Sequence, residues 1–279
     1  MKKYLPLRLF ALLLAPFAQA ATVDSITLPS QSMNKKFICV VIKPDSYSQA
    51  PYAEKKYPVV YLLHGYSGCY RNWITRVPEL KELADREQLL IVCPDGGYSS
   101  WYWDSPLDPA FRYETYIAAE VPLQIDQQYR TIADRSGRAI TGLSMGGHGG
   151  IYLGFRHAER FGACGSMSGA VDLSYSINKY DIAKRIGDTL TYRNNWYAYS
   201  ALGALDTPIK QPLAIIVDCG LDDHLIQGNR NLHAKLMQLK IDHDYIERPG
   251  KHDWNYWRNA IPYQLLFFSK YFRSAAQKK

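Results

Sequence analysis

Cysteine is scarce in this 279-residue chain, with five residues in all, an odd number. That is too few and too scattered for a disulfide framework. Cys39, Cys93 and Cys219 lie in or at the ends of apolar runs, where a thiol behaves as a small hydrophobe. Cys69 and Cys164 lie near glycines in loop-like stretches, and no cysteine sits in a motif with a partner histidine, which argues against a thiol nucleophile. A pair could oxidise outside the cytoplasm, but the spacing singles none out. Zinc-ligand spacing, a P-loop and a dinucleotide fingerprint are all missing, so no metal and no cofactor is expected. No apolar run is long enough to span a bilayer, and stable membrane insertion is not expected. Charge excess is small too. Of 33 basic residues, three fall in residues 1–20, which hold no acid; the rest of the chain carries 30 against 26, a net +4 with no basic stripe. A nucleic-acid partner is therefore not expected. Linkers, repeats and low-complexity tracts are absent as well, so residues 21–279 are expected to form a single domain.

What is present begins at the N-terminus. Lys2, Lys3 and Arg8 precede a short apolar stretch over 9–17, and Ala18-Gln19-Ala20 supplies a small-x-small site. This layout predicts a signal peptide over residues 1–20. Pro16 and the shortness of the stretch argue against an anchor, and no cysteine follows the cleavage point to take a lipid. The mature chain is expected to begin near Ala21 and to be periplasmic or secreted.

Further along, near-continuous apolar runs at 57–63, 89–93, 138–141 and 213–219 alternate with helix-length segments at 79–87, 113–128, 145–157 and 225–239. Apolar runs of this kind read as strands buried on both faces of a parallel sheet. Their alternation with helices predicts an α/β fold, a mostly parallel central sheet with helices on both faces. Residues 35–42 read as an antiparallel edge strand, 243–247 as the last strand and 254–272 as a closing helix. Two stretches break the alternation: 94–110, crowded with Tyr98, Trp101, Tyr102 and Trp103, and 166–211, with one helix near 181–186. Both would leave the carboxyl edge of the sheet, where open α/β folds bind ligands.

The central signal is Gly142-Leu143-Ser144-Met145-Gly146, set between a predicted strand and a predicted helix. That is the context of a nucleophile elbow in an α/β-hydrolase fold. The turn is strained, and glycine on either side lets neighbouring backbone approach it. A serine hydroxyl needs a base, and in this fold the order along the chain is Ser, acid, His. Of seven histidines, only His252 lies in a glycine-containing loop just after the last predicted strand. For the acid, Asp218 falls inside a strand, leaving the neighbours Asp222 and Asp223; Asp223 is chosen and Asp222 is the fallback. Two backbone N–H groups are expected to form an oxyanion hole, from Met145 and from Tyr66 in the His64–Gly68 loop. His64 is expected to brace that loop. Trp101, Tyr102 and Trp103 are candidate substrate-binding residues, able to stack on a sugar or an aromatic acyl group; the alternative is that they pack the loop against the sheet.

With these residues in place the chain resembles the esterase family that includes esterase D (S-formylglutathione hydrolase), tributyrin esterases, feruloyl and acetyl-xylan esterases and mycobacterial mycolyltransferases. The matching stretches are Leu62-Leu63-His64-Gly65, Gly142-Leu143-Ser144-Met145-Gly146-Gly147, Cys219-Gly220-Leu221-Asp222-Asp223 and Gly250-Lys251-His252-Asp253-Trp254. The resemblance spans roughly residues 35–272. It implies that the acid is the last residue of Gly220 to Asp223, which favours Asp223, and that no large separate lid covers Ser144.

The function expected is a serine carboxylesterase acting on short-chain acyl or carbohydrate-linked esters of acetyl or feruloyl type, with a small-molecule or polysaccharide ester as partner. Glutathione thioesters belong mainly to the cytoplasm and do not suit an exported chain. Two alternatives remain: an acyltransferase to a sugar or lipid hydroxyl, which would use the same triad, and a non-catalytic carbohydrate-binding protein on a hydrolase scaffold.

Overall fold

The computed structural model describes residues 21–277. The expected signal peptide, residues 1–20, lies outside the described residues. Eight strands form one sheet: β1 (Thr22–Ser30), β2 (Lys35–Lys43), β3 (Val59–Leu63), β4 (Leu90–Pro94), β5 (Arg138–Gly142), β6 (Ala163–Met167), β7 (Ala214–Gly220) and β8 (Asp244–Arg248). Their spatial order is β1-β2-β4-β3-β5-β6-β7-β8. The β1–β2 and β2–β4 pairs are antiparallel and the remaining pairs parallel.

Strand residues alternate between two cores. Val59, Tyr61 and Leu63 face one, with Ile117, Val121, Leu153 and Leu232. Val60 and Leu62 face the other, with Trp73, Leu83, Ile261 and Phe268. Burial on both faces explains why β3, β4 and β5 read as unbroken apolar runs rather than alternating ones.

Several stretches differ from expectation. Residues 35–42 do not form the edge, because β1 pairs outside β2 along its whole length. β1 is half-exposed and alternating, as suits an edge strand with one wet face. β6, Ala-Cys-Gly-Ser-Met, is fully buried but made mostly of small residues, so it lacks the β-branched signature of a strand. The segment 113–128 is helical throughout but widens to a π-turn at Tyr116–Glu120, just before the helix Val121–Gln128. Pro122 opens that helix; it has no N–H to donate four residues back. The 166–211 stretch carries a 3-10 turn, Leu173–Ser176, and three short α-helices, Ile182–Ile186, Arg193–Ala198 and Ala201–Ala204, where one helix was expected. No helix among the described residues is long and apolar enough to cross a membrane.

The carboxyl ends of β3, β5, β7 and β8 deliver His64–Gly68, Ser144, Asp223 and His252 to one edge of the sheet. The excursions after β4 and β6 rise from the same edge.

Candidate active site

Ser144 stands between β5 and the helix Met145–Arg156 with φ 54° and ψ −115°, a backbone conformation that L-residues rarely adopt. The surrounding sequence makes this possible. A Cβ at Gly142 would lie 2.5 Å from the Leu63 carbonyl oxygen, and one at Gly146 would lie 2.6 Å from the same atom. Any side chain at either position would push the elbow off β3. The Ser144 N–H donates to the Met167 carbonyl at 3.0 Å, and the His148 N–H donates to the Ser144 carbonyl at 3.0 Å. Tertiary contacts thus hold the strained turn in place.

Ser144 Oγ lies 3.0 Å from His252 Nε2. His252 Nδ1 lies 2.8 Å from Asp223 Oδ2 and 3.0 Å from Oδ1. A carboxylate can only accept, so Nδ1 carries the proton and Nε2 is left to accept from the serine. Asp223 is buried, and its Oδ1 also accepts the Leu225 N–H at 2.8 Å. Burial pushes the Asp223 carboxyl up, but the His252 hydrogen bond and charge, with the Leu225 N–H, outweigh it and hold the group below its ordinary range. Asp222 is exposed, and its N–H donates to the Gly250 carbonyl at 2.9 Å. The structure therefore brings Asp223, not Asp222, to His252.

The loop after β3 packs against the elbow, and a Cβ at Gly65 would lie 3.4 Å from Ser144 Cβ. His64 braces this loop. Its Nδ1 lies 2.8 Å from the Gly65 carbonyl, and the Gly96 N–H donates to its Nε2 at 2.8 Å. With an N–H pointing at Nε2, the ring is neutral and protonated at Nδ1; burial holds it below the ordinary imidazole range. The Ser67 N–H donates to the Tyr98 carbonyl at 2.7 Å, and Tyr66 Oη donates to Asp181 at 3.3 Å. The loop carrying the Tyr66 N–H is thus tied at both its backbone and its side chain.

The arrangement as a whole can transfer an acyl group to and from a serine. Residues 30–268 match the family model named Esterase. The chain belongs to the Esterase family. The curated relatives include the acetyl esterase of Caldicellulosiruptor saccharolyticus, 30% identical over 258 residues covering 84% of this chain and 91% of that one. Ag85A of Mycobacterium tuberculosis, a diacylglycerol acyltransferase/mycolyltransferase, is 25% identical, covering 84% of this chain and 77% of its own. Among solved structures a ferulic acid esterase aligns with a TM-score of 0.78 at 31% identity, covering 90% of this chain and 98% of that one. The chain is a carboxylic ester hydrolase with the α/β-hydrolase fold.

In this esterase a cleft of about 340 Å³ opens over Ser144, within the usual range for small-molecule sites. Its lining includes Tyr66, Trp101, Tyr180, His224, Trp254 and Trp257 beside Ser144 and His252. Of the three aromatic candidates in the loop after β4, only Trp101 reaches it. All three rings are buried, Trp101 at 1% exposure included, but Tyr102 and Trp103 do not line the cleft, which corrects their expected place at the substrate. Tyr102 Oη donates to the His64 carbonyl at 2.7 Å, and Trp103 stacks on Trp101 at 5.4 Å and meets His148 edge-on. These two rings hold the elbow side of the cleft from beneath. Trp257, edge-on to His252 at 5.0 Å, and the exposed His224 escaped the sequence reading. Trp257 lies in the closing helix, and nothing in its local pattern points to the cleft. His224 had a signal, its position next to Asp223, but it falls before the helix that follows β7 and not in the loop after the last strand, where the base was expected. Asp223, His224 and His252 are also the group of side chains among the described residues whose ligand atoms lie close enough, within 4.8 Å of one another, to hold a metal ion.

Proposed function

We propose that Ser144, His252 and Asp223 are the catalytic triad of this esterase. The hydrogen-bonded line Ser144–His252–Asp223 on the cleft floor carries this reading. Ser144 Oγ attacks the ester carbonyl as its proton passes to His252 Nε2. The tetrahedral intermediate collapses as His252 returns that proton to the leaving alcohol. Water then attacks the acyl-enzyme, giving its proton to His252, and Ser144 is regenerated with the acid released. Asp223 stays ionised, fixing the His252 tautomer and stabilising the imidazolium. The N–H groups of Tyr66 and Met145 receive the oxyanion, a role supported by Tyr66 lining the cleft with Ser144 and by Met145 opening the helix that follows it.

The substrate class we infer is an acetyl or feruloyl-type ester on a carbohydrate. The acetyl esterase and ferulic acid esterase relatives support it, as does a cleft walled by Trp101, Trp254 and Tyr180. Transfer to a sugar or lipid hydroxyl ranks second, supported by the lower likeness to Ag85A. Export follows from the layout of residues 1–20.

The deciding measurement is p-nitrophenyl acetate and butyrate hydrolysis by the protein and four variants. Ser144→Ala and His252→Ala are expected to lose roughly 10⁴-fold or more, and Asp223→Asn about 10⁴-fold. Asp222→Asn should stay within about twofold of the parent, as for a surface change. Activity that survives Ser144→Ala would overturn the triad. Acetylated xylan and methyl ferulate then rank the acyl groups, and added alcohol acceptors separate hydrolysis from transfer.

A further inference from the structure

Asp223 faces two imidazoles, not one. Besides its bonds to His252, its Oδ1 lies 3.6 Å from His224 Nδ1. The His224 and His252 rings meet at 4.6 Å between centroids, tilted by 64°. One ligand atom from each of Asp223, His224 and His252 lies within 4.8 Å of the others. His224 has no part in the acyl-transfer steps. Its side chain is 51% exposed at the cleft, so it is free to close on an arriving ion.

We propose that Asp223, His224 and His252 form a reversible inhibitory site for a divalent ion of the zinc type. Two imidazoles and a carboxylate suit zinc and its first-row neighbours, whereas magnesium and calcium prefer oxygen ligands throughout. A tetrahedral ion with bonds of about 2.0–2.1 Å sets its ligands a little over 3 Å apart. A modest swing of His224 supplies that closure. The inhibition follows from the tautomer of His252. An ion bound at Nδ1 needs the lone pair of that nitrogen, so the single ring proton moves to Nε2. The ring stays neutral, and no bond to substrate is made or broken. Nε2 then donates toward Ser144 where it formerly accepted, and the serine has no base. The site rests on the triad reading, since the ion acts by occupying the orienting side of that triad.

The test is p-nitrophenyl acetate hydrolysis in a non-chelating buffer against increasing zinc chloride, corrected for hydrolysis by zinc alone. Each rate is normalised to the same protein's metal-free rate. The metal-free rates report on the esterase reading, and the zinc dependence reports on this one. Zinc should inhibit the parent protein, EDTA should restore it, and magnesium should do neither. His224→Gln should raise the half-inhibiting zinc concentration by about tenfold or more, the scale on which loss of a metal contact acts. His243→Gln, in the separate pair where His233 Nδ1 lies 2.7 Å from His243 Nε2, should leave inhibition unchanged. Calorimetry of zinc into Ser144→Ala should show one ion per chain, and none at the same concentrations in the Ser144→Ala/His224→Gln double variant. Uninhibited parent enzyme, undiminished inhibition of His224→Gln, or relief by His243→Gln would each overturn the proposal.

Discussion

Trp101 and Tyr102 both adopt left-handed backbone, with φ of 55° and 61°, and that paired twist sends neighbouring rings to different places. Trp101 reaches the cleft wall, its indole N–H donating to the Tyr180 carbonyl at 3.0 Å. Tyr102 turns inward and closes the hydrogen bond of the His64 carbonyl. Their substitutions should separate accordingly. Trp101→Ala is expected to raise KM for bulky acyl esters more than for acetate and, as the truncation of a buried ring, to cost about 3–5 kcal/mol of stability as well. Tyr102→Phe leaves a buried carbonyl without that partner and should cost about 1–3 kcal/mol of stability, with KM little changed. Thermal melts and Michaelis plots on both variants decide it; a KM effect confined to Tyr102→Phe would show the assignment reversed. The difference also explains why the sequence could single out Ser144, His252 and Asp223, which the structure joins by hydrogen bonds, and could not read the packing here. These three residues follow strand ends and keep an order along the chain, so local pattern can single them out as candidates. An aromatic cluster in a loop announces burial or binding equally well, and only the path of the backbone chooses between them.

At the scale of elements, the helix Met145–Arg156 does most to hold the site together. It lies close to the sheet because its glycines allow it: a Cβ at Gly150 would lie 2.2 Å from the Gly165 carbonyl oxygen of β6. Those glycines were readable, but β6, which they pack against, was not, because small residues carry little strand signal. The same helix buries His148, whose Nε2 lies 2.9 Å from the Tyr199 carbonyl and whose ring stacks on Tyr152 at 5.3 Å. Burial pushes His148 down to about 4, against smaller opposing hydrogen bonds. The unfolded chain takes up a proton near pH 6.5, whereas the folded chain resists until about pH 4. Stability contributed by neutral His148 is therefore full above about pH 6.5 and falls as the pH drops through that window. The slope is at most about 1.4 kcal/mol per pH unit, or roughly 3 kcal/mol in all. Urea titrations at pH 7, 5.5 and 4.5 should show a smaller acid loss in His148→Gln than in the parent, whatever the offset at pH 7. Equal losses would assign the acid sensitivity to another group.

For the whole molecule, two cores on either side of one sheet determine what the solvent can reach, and the five cysteines measure that division. All five are free thiols; Cys39, Cys93, Cys164 and Cys219 are buried and only Cys69 is partly open. Burial raises the thiol pKa at Cys39, Cys93, Cys164 and Cys219. Thiolate is the reactive form, so these four are shielded twice, by access and by protonation. Cys39 and Cys93 illustrate the point. They lie on the adjacent strands β2 and β4, with Cys93 registered against Val40, yet their side chains belong to opposite cores, Cys39 in one and Cys93 in the other. The sheet itself stands between them, and an oxidising compartment would have no bond to make there without unfolding the protein. Ellman's reagent should accordingly titrate one thiol rapidly in the native protein and five in guanidinium. Cys69→Ser should abolish the rapid phase while leaving esterase activity in place. A second rapid thiol in the native state, or fewer than five after unfolding under non-reducing conditions, would mean that the layers open or that a disulfide forms where this packing allows none.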